Sequence, residues 1–488
     1  MYRVRTRYFF KHVHGSKRAM TEQTEGQHEW IAMLDQQQRE GMVTLVLTAD
    51  NHLGSSAFGQ HPHKREERQQ RLRRAFQQAT DFAVAQGVDL FIQAGDLFDT
   101  STPDEIERSF VAERLAQLKQ AGVQTIAIGG VHDTPSETQS GLQSQHKAGT
   151  PAPQMSYARL GALHYVSSPQ GGQDGQAVEP TMLNLRGTLV GLCGLSVLAE
   201  QEGDPLEHFH VQDDIERAAI RLLVLHAPIE GLTTGSSLLD TRTLVSRNSI
   251  ARQTVFHSIL AGYHHGYSRS RIGSTDVIVA GATQHSDFST ADHDPGFVFI
   301  GIGPDGVRWC NHIAVDAMPL RQLVIHTDEL WSGNNRAERV EHIEQASQEA
   351  QKKNEAVSAP HELPQSSTEL IIERLQPLCS PDVMLQLKLE GKLTRSRYHQ
   401  LDLNRIRHYG EEHCFALAID DSSLTLRMEQ ETPLVSMTEA GERFSPREEL
   451  MALVDEWIAA SDDEQEQKAL QATKEELLLV MDEVKRRV

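Results

Sequence analysis

The sequence of 488 residues has few cysteines, no long apolar run and a deficit of positive charge. Its four cysteines lie far apart without a C-x-x-C pair, which argues against a disulfide scaffold and a thiolate zinc site and is typical of a reducing cytosol. No apolar run approaches the roughly 20 residues that a membrane-spanning helix needs, so we expect a cytoplasmic protein without membrane contact. The net charge of −21 excludes a protein that coats nucleic acid through bulk positive charge, but it leaves room for a local basic surface.

The composition is globular, with 39% hydrophobic and 24% charged residues, in a chain long enough for two or three domains. We predict an N-terminal extension without function over 1–41, a principal domain over 42–317, a small α+β domain over 318–440 and a C-terminal helical segment over 441–488. These boundaries follow a Gln- and Glu-rich start, a change of character near Met318 and two amphipathic helices at the end.

The principal domain begins with alternating strands and helices. Val43–Ala49, Val88–Ala94 and Val123–Ile128 are short apolar runs typical of buried strands. Between them, residues 64–86 and 103–122 repeat apolar side chains at helical spacing. This order predicts parallel strands with helices on the faces of the sheet, an α/β fold, and further strand-like runs continue the pattern, the first of them over 181–195.

Side chains with metal-binding chemistry follow five of the predicted strands. In chain order they are Asp50 and His52, Asp96 and Asp99, His132 and Asp133, His226, and the run Tyr263, His264 and His265. Open α/β sheets place ligands at the carboxyl ends of their strands, so we expect these side chains to meet. Carboxylates and imidazoles together suit manganese, iron or zinc better than calcium or magnesium. A cluster of satisfied polar loop residues is the alternative interpretation.

These groups, in this order, resemble the calcineurin-like metallophosphoesterases, whose motifs run D-x-H, GD-x-x-D, GNHD, a lone His and GHxH. Within that superfamily the chain looks most like the SbcD-type DNA repair exonucleases, the nuclease partners of SbcC-type ATPases. The resemblance covers residues 43–315. It implies a sandwich of two mixed β-sheets flanked by helices, followed by a small α+β capping domain and by C-terminal helices that bind the partner.

By position, the resemblance implies one metal ion on Asp50, His52, Asp96 and His265. In the family, the carboxylate at the position of Asp96 bridges to a second ion, which His226 would also bind. The expected cofactor is therefore a divalent cation, with manganese first and iron or zinc as alternatives, at one or two ions per chain.

The sequence departs from the family pattern at two positions, and both belong to the second ion. Val131 stands where the family has Asn, and Tyr263 stands where it has the first His of GHxH. Valine offers no lone pair, and the ordinary pKa of tyrosine, about 10, lets it bind a metal as phenolate only beside a strong Lewis acid. His264 replaces Tyr263 only if the loop rearranges, because neighbouring side chains of an extended segment face opposite ways. Asp99 is a weaker candidate ligand.

The implied activity is hydrolysis of DNA phosphodiester bonds by in-line attack of a metal-activated water. His132 would assist at the leaving oxygen and Asp133 would orient it. The implied partners are DNA, a coiled-coil ATPase of the SbcC type and a second copy of the chain. Two alternatives remain open: a weakly active or inactive scaffold that binds DNA and the ATPase, favoured by Val131 and Tyr263, and a phosphoesterase acting on small molecules or proteins.

A basic run follows the first ligand pair. Lys64, Arg65, Arg68 and Arg71 lie at the start of the predicted helix 64–86, where they could face DNA phosphates. The same run contains Glu66 and Glu67, so a solvated helix face with internal Glu–Arg pairs is an equal alternative.

Overall fold

The computed structural model describes residues 42–57, 62–135, 152–168, 177–197, 202–232, 243–286, 288, 293–331 and 366–427. The predicted N-terminal extension and C-terminal helical segment lie outside these residues. The chain divides into two compact units, Met1–Met318 and Pro319–Val488. Among the described helices, none combines the length and the apolar character needed to cross a bilayer.

Two large mixed sheets form the first unit, which confirms the predicted fold class. The first sheet has the order β13-β12-β1-β2-β3-β4, and the second has the order β10-β11-β9-β8-β7-β5 with β6 paired to β7. The strands are β1 (Val43–Thr48), β2 (Leu90–Ala94), β3 (Gln124–Ile128), β4 (His164–Tyr165), β5 (Ser167–Ser168), β6 (Thr181–Leu185), β7 (Thr188–Ser196), β8 (Ile220–His226), β9 (Ser258–Gly262), β10 (Ser268–Ile272), β11 (Thr275–Val279), β12 (Gly296–Gly303) and β13 (Gly306–Ala314).

The expected parallel β-α-β-α-β unit is present in the first sheet. β1 pairs with β2 and β2 pairs with β3, both in parallel. The connecting helices are α1 (Pro62–Gln86) and α2 (Glu105–Gln120), and Asp104 caps α2 by accepting a hydrogen bond from the backbone N–H of Glu107. The helices end within two residues of the predicted positions, because their apolar faces are the ones that the sheet buries.

Three apolar clusters stabilise this unit. One lies between the two sheets and contains side chains from β1, β2, β3, β7, β8 and β12. A second packs α1 and α2 on the outer face of the first sheet, and a third covers the outer face of the second sheet. The strands of the interior are therefore apolar on both faces, which is why the sequence shows continuous apolar runs instead of strict alternation.

The predicted strand-like run over 181–195 is in fact a hairpin. β6 and β7 pair antiparallel, with Leu185 opposite Thr188. The two residues between them, Arg186 and Gly187, have φ of +48° and +84°, the signs that a type I′ turn requires. The sequence conceals this turn because arginine is not a usual residue for its first position.

The second unit has a three-stranded parallel sheet of the order β14-β15-β16. Its strands are β14 (Leu320–His326), β15 (Met384–Thr394) and β16 (Ala416–Arg427), and its helices are α5 (Thr327–Trp331), α6 (Ser367–Leu375), α7 (Arg395–His399) and α8 (Leu403–His413). The first unit also contains two short helices, α3 (Gln154–Arg159) and α4 (Arg247–Arg252). One apolar cluster, which includes Ile371, Leu387 and Ile406, forms the core of the second unit.

Candidate metal centre

The carboxyl ends of five strands meet at one edge of the two-sheet unit. Hydrogen bonds join the sheets there, and two of them involve candidate ligands. The His226 Nδ1 at the end of β8 donates to the carbonyl oxygen of Ala94 at the end of β2, at 2.8 Å. The backbone N–H of Tyr263, after β9, donates to the Asp50 carboxylate, with 3.0 Å to Oδ2. The loops after strands of different sheets are thus held against one another.

Within this edge, the Asp and His side chains form three overlapping groups whose candidate ligand atoms lie within 4.8 Å of one another. The groups are Asp50 with His52 and His265, His52 with Asp96 and His132, and Asp50 with Asp96 and His226. All five side chains predicted as metal ligands are therefore brought together. Asp50, His52 and Asp96 each belong to two of the groups, so the three groups form one continuous cluster.

Each of the three histidine ligands has a partner on its Nδ1. His52 Nδ1 lies 3.0 Å from Asp99 Oδ1, His226 Nδ1 donates to the Ala94 carbonyl, and His265 Nδ1 lies 2.5 Å from Ser286 Oγ. A hydrogen bond on one ring nitrogen fixes the ring and directs the other nitrogen, the arrangement found around histidines that ligate metals. Asp99 is thus a positioning partner of His52.

The Nε2 atoms of His52 and His226 show that these residues fit a cation. Both are buried and have no hydrogen-bond partner among the described residues. The Nε2 of His226 is 3.3 Å from Asp96 Oδ2 but is not directed at it in hydrogen-bond geometry. Buried polar atoms are nearly always satisfied, so two orphaned imidazole nitrogens beside buried carboxylates indicate a ligand site.

The candidate ligands occupy strained backbone conformations. Asp50, His52 and Asp96 have φ of +49°, +46° and +52°, the left-handed region that residues with a Cβ rarely adopt. Tyr263 lies there as well, at +79°. Backbone bonds hold the loops in place: the N–H groups of Asn51 and His52 both donate to the carbonyl of Asp96, at 2.9 and 3.1 Å. Strain of about 1–3 kcal/mol per residue persists only where the surroundings fix it, and it clusters at functional sites.

A buried amide network supports these loops from beneath. Asn51 Nδ2 donates to the hydroxyls of Thr48 and Thr283, at 2.9 and 3.2 Å. Gln93 Nε2 donates to the carbonyl of Gly95 at 2.7 Å, and its Oε1 accepts the N–H of the same residue. Asn51, Gln93 and Ser286 were not predicted as parts of the site. For Asn51, its position inside the D-x-H motif could have indicated that it belongs there.

Two glycines allow the loops to approach this closely. A Cβ on Gly95 would lie 2.2 Å from His226 Nδ1, and one on Gly130 would lie 2.1 Å from Asp96 Oδ1. Either contact is far inside van der Waals distance, so a side chain at these positions would displace a candidate ligand. The glycines before Asp96 and before His132 are therefore a steric requirement of the site.

Asp133 acts on the loops and not on the His132 ring. Its fully buried carboxylate accepts the backbone N–H groups of Leu97 at 2.8 Å and Gly130 at 2.7 Å, together with the amide of Gln154. Through Gly130 it holds the loop that carries His132, and its role in orienting His132 stays a prediction. His132 is anchored by its backbone N–H, which donates to Asp96 Oδ1 at 2.8 Å, and the carboxylate near its ring is Asp99, with Oδ1 3.9 Å from Nδ1.

The charges of the site depend strongly on one another. Burial raises the pKa of Asp50 to about 6, although His226 opposes the rise. Burial opposes ionisation of Asp96 too, but His226, His52 and His132 together hold its pKa well below the usual range. Burial would lower the pKa of His226, yet Asp96 and Asp50 raise it to about 9. The neighbouring histidines thus favour the ionised form of Asp96, and a cation at this site would compete with protons for the imidazole nitrogens.

At the two positions that depart from the family pattern, the side chain does not offer the ligand atom that the family has there. The Val131 side chain packs against the apolar cluster on the outer face of the second sheet. The Tyr263 ring lies edge-on to the His226 ring, with centroids 5.6 Å apart. His264 is not a substitute ligand, because its Nε2 accepts the backbone N–H of Ile229 at 2.9 Å and it joins none of the three groups.

The basic run on α1 divides into two kinds of residue. Lys64 is partly exposed and Arg65 is exposed, near the start of the helix. The prediction that Arg68 faces DNA is wrong: it is 4% exposed, and its guanidinium donates to the carbonyl of His285, because it lies on the face of α1 that packs inward with Leu72. Arg71 bonds to Glu67 one turn earlier, at 2.7 Å, as in the alternative of internal Glu–Arg pairs.

Comparison with known families supports the interpretation of the first unit. Residues 43–240 match the family described as calcineurin-like phosphoesterase, and the match covers less than half of the chain. The matched residues include Asp50, His52, Asp96 and His226. Tyr263 and His265 lie beyond the matched residues, and the structure brings them to the site.

Two curated relatives are DNA double-strand break repair proteins named Mre11. The protein of Saccharolobus solfataricus is 33% identical over 94 residues, which are 19% of this chain and 23% of the relative. The protein of Haloferax volcanii is 26% identical over 269 residues, which are 54% of this chain and 51% of the relative. The chain thus spans from about a quarter to about half the length of these relatives. A dimetal phosphatase from Danio rerio is 13% identical over 56% of this chain and 98% of its own, with a TM-score of 0.30, too distant to carry an argument.

Proposed function

We propose that the calcineurin-like phosphoesterase domain of this chain is a metal-dependent phosphodiesterase that acts on DNA. The observation that carries the proposal is the convergence of Asp50, His52, Asp96, His226 and His265 from the ends of β1, β2, β8 and β9, with two buried imidazole nitrogens left for a cation. The family match supports hydrolysis of a phosphoester. The relatives that are named as DNA double-strand break repair proteins support DNA as the substrate.

The residues of the site have distinct roles in this proposal. Asp50, His52, Asp96 and His265 would hold one cation, for which the mixture of carboxylate and imidazole favours manganese, with iron or zinc as alternatives. A divalent cation supplies Lewis acidity toward a phosphate oxygen and lowers the pKa of a water molecule. Asp99 and Ser286 keep His52 and His265 in orientation. Asp96 concentrates the negative charge that draws the cation to the middle of the site.

His132 is placed to act on the substrate. Its side chain is 51% exposed, whereas Asp96 and His226 are buried, and its ring centroid lies 4.8 Å from that of His52. Its backbone N–H donates to Asp96, which holds the backbone of His132 beside the candidate ligands. A half-exposed imidazole at this position donates a proton to a leaving oxygen or stabilises charge that develops on the phosphate.

The proposals of DNA binding and of protein partners are supported by fewer structural observations. Lys64 and Arg65, at the start of α1, are the members of the basic run that stay at the surface, and they follow the loop of the first ligands. A coiled-coil ATPase of the SbcC type and a second copy of the chain are proposed from the family resemblance. The helical segment assigned to the ATPase, 441–488, lies outside the described residues.

The proposal is tested with chelator-stripped protein that is reloaded with Mn²⁺. We expect bound manganese by elemental analysis and cleavage of a labelled DNA duplex, with faster turnover of DNA than of the small diester bis(p-nitrophenyl) phosphate. A Lys64→Ala, Arg65→Ala double variant should lose more activity on DNA than on the small diester, because phosphate contacts position only the long substrate. Arg217→Ala, an exposed arginine on the 3₁₀ turn before β8, is the matched control.

Each other outcome supports a different function. Hydrolysis of the small diester without DNA cleavage would favour a phosphoesterase for small molecules or proteins. Bound manganese without hydrolysis of either substrate would favour the scaffold, the alternative that Val131 and Tyr263 suggest. Stripped protein that retains no ion after separate reloading with Mn²⁺, Fe²⁺ and Zn²⁺ would overturn the metal site itself.

The second cation position gives a further prediction. We expect one tightly bound ion in the natural chain, because Val131 packs into an apolar cluster and Tyr263 brings no imidazole. The double substitution Val131→Asn, Tyr263→His should raise the content to two ions and increase cleavage about 10²-fold, since a second cation contributes several kcal/mol at about 1.4 kcal/mol per tenfold in rate. Histidine also tolerates the left-handed backbone of position 263 better than tyrosine.

The control for this experiment changes size at the same two positions without adding a donor. Val131→Ala with Tyr263→Phe should leave the metal content at one ion. If the donor-bearing variant is folded, as its thermal unfolding shows, and still binds one ion, the assignment of these two positions to a second site is wrong.

A further inference from the structure

Two cysteines of the second unit lie in contact. Cys379 follows the short 3₁₀ turn after α6, and Cys414 caps the C-terminus of α8. They are 35 positions apart in sequence, yet their sulfur atoms are 2.7 Å apart. Both carry free thiols in the structure. A disulfide bond is about 2.05 Å long, so only a small approach separates this pair from a covalent bond.

Backbone hydrogen bonds at helix ends hold the main chain of both cysteines in place. The backbone N–H of Cys379 donates to the carbonyl of Leu375 at 3.1 Å, and that of Cys414 donates to the carbonyl of Gly410 at 2.8 Å. A Cβ on Gly410 would lie 2.4 Å from the Leu417 side chain, so the glycine lets α8 pack closely on β16 just beyond Cys414. Both cysteines contact the same apolar cluster of the second unit. The proximity is thus a consequence of packed elements and not of a loose loop.

We propose that Cys379 and Cys414 are an oxidation site. When a hydroperoxide oxidises them, the two cysteines form an intramolecular disulfide bond. Cys379 is the attacking residue, because it is partly exposed whereas Cys414 is 3% exposed. Arg321, whose guanidinium donates to the carbonyl of Leu378 at 2.9 Å, adds positive charge near the Cys379 sulfur. The site lies in the second unit, whereas the candidate metal ligands lie in the first.

The reaction balances with one hydrogen peroxide. The Cys379 thiolate attacks one peroxide oxygen, the O–O bond breaks, and a sulfenic acid and one water form. The Cys414 sulfur then attacks the sulfenic sulfur, the S–S bond forms, the S–O bond breaks, and a second water leaves. The two thiols lose two electrons and two protons, and the peroxide takes both and ends as two waters. Burial, with Cys414 adjacent, raises the pKa of Cys379 to about 12, so the reaction is slow and calls for excess oxidant.

The pair of Cys379 and Cys414 is not suited to bind a metal ion. The described residues that could bind a cation in groups of three or more include no cysteine. The imidazole nearest in sequence, His413, stacks on Tyr409 with centroids 4.2 Å apart and bonds through Nδ1 to that residue's carbonyl. Two thiols without a third ligand are suited to a disulfide and not to a thiolate metal site.

The full chain serves as the sample. After treatment with hydrogen peroxide and removal of the excess, we expect titration in denaturant to find two of the four thiols, and intact mass to fall by about 2 Da, the two hydrogens lost when a disulfide forms. Peptide mapping without reductant should find the Cys379–Cys414 linkage, and dithiothreitol should restore all four thiols. The Cys379→Ser variant should lose no thiols on treatment with peroxide. The Cys310→Ser variant, which changes the partly buried cysteine of the first unit, should still lose two.

Three results would overturn the proposal. They are four titratable thiols after treatment, a sulfinic or sulfonic acid on Cys379 beside an unchanged Cys414, and a linkage to Cys193, to Cys310 or to another chain. Peptide mapping of the wild-type chain decides among these results even if a variant fails to fold.

Discussion

Substitution of Asp96 by Asn should remove the bound cation and lower DNA cleavage by about 10³-fold, the equivalent of about 4 kcal/mol at 1.4 kcal/mol per tenfold. Asp96 lies in two of the three ligand groups and is held at low pKa by three histidines, so it carries the negative charge at the centre of the site. Asn keeps the shape and can still accept the N–H of His132. The loss should therefore appear in metal content and rate, and the thermal unfolding should change little.

The matched control is Asp305→Asn. That carboxylate is 79% exposed and pairs with Arg308 on the surface, where an ion pair contributes little to stability. Metal content and cleavage should both stay at wild-type values. An Asp96→Asn protein that keeps its cation and its rate would show that the ligand cluster is not the catalytic site.

Substitution of His132 by Ala should lower cleavage by about 10²–10⁴-fold, the range typical of a lost general acid, and leave metal content near that of the wild-type chain. The two effects separate because the side chain is half-exposed, whereas its backbone N–H makes the bond to Asp96 that the variant retains. The loss should be smaller on a diester with a good leaving group, since such a group needs less protonation.

His164→Ala is the control for this substitution, because that histidine is exposed on β4 and belongs to none of the ligand groups. It should cleave DNA at the wild-type rate. If His132→Ala loses its metal in step with its activity, then His132 is a ligand and not a proton donor. Unchanged activity would exclude both roles.

The convergence of the candidate ligands could be predicted from the sequence because it follows from the topology of the sheet. Parallel strands end at one edge, so Asp50, Asp96 and His132 had to lie near one another once the β-α-β-α-β pattern was recognised. His226 and His265 were expected at the same edge because they also follow predicted strands. They belong to a second sheet, however, and no local sequence pattern predicts how that sheet packs on the first; the resemblance to a known family placed them in one site.

Other features depend on contacts that no local pattern reports. Arg68 lies one helical turn before Leu72, and only the packing of α1 decides that it points inward with it. The Arg186–Gly187 turn splits what reads as a continuous apolar run. Cys379 and Cys414 are separated by 35 positions, so their contact follows from how α6 and α8 end around one core. Tertiary packing, and not local preference, determines each of these.

The left-handed conformations of Asp50, His52 and Asp96 also limit which residues these positions accept. Backbone bonds between the two loops and the amides of Asn51 and Gln93 maintain these conformations. Bulky and β-branched side chains are outliers at positive φ, whereas aspartate, asparagine and histidine adopt it more readily than other residues with a Cβ. The shape of the backbone and the chemistry of a cation site therefore favour the same few side chains at these positions.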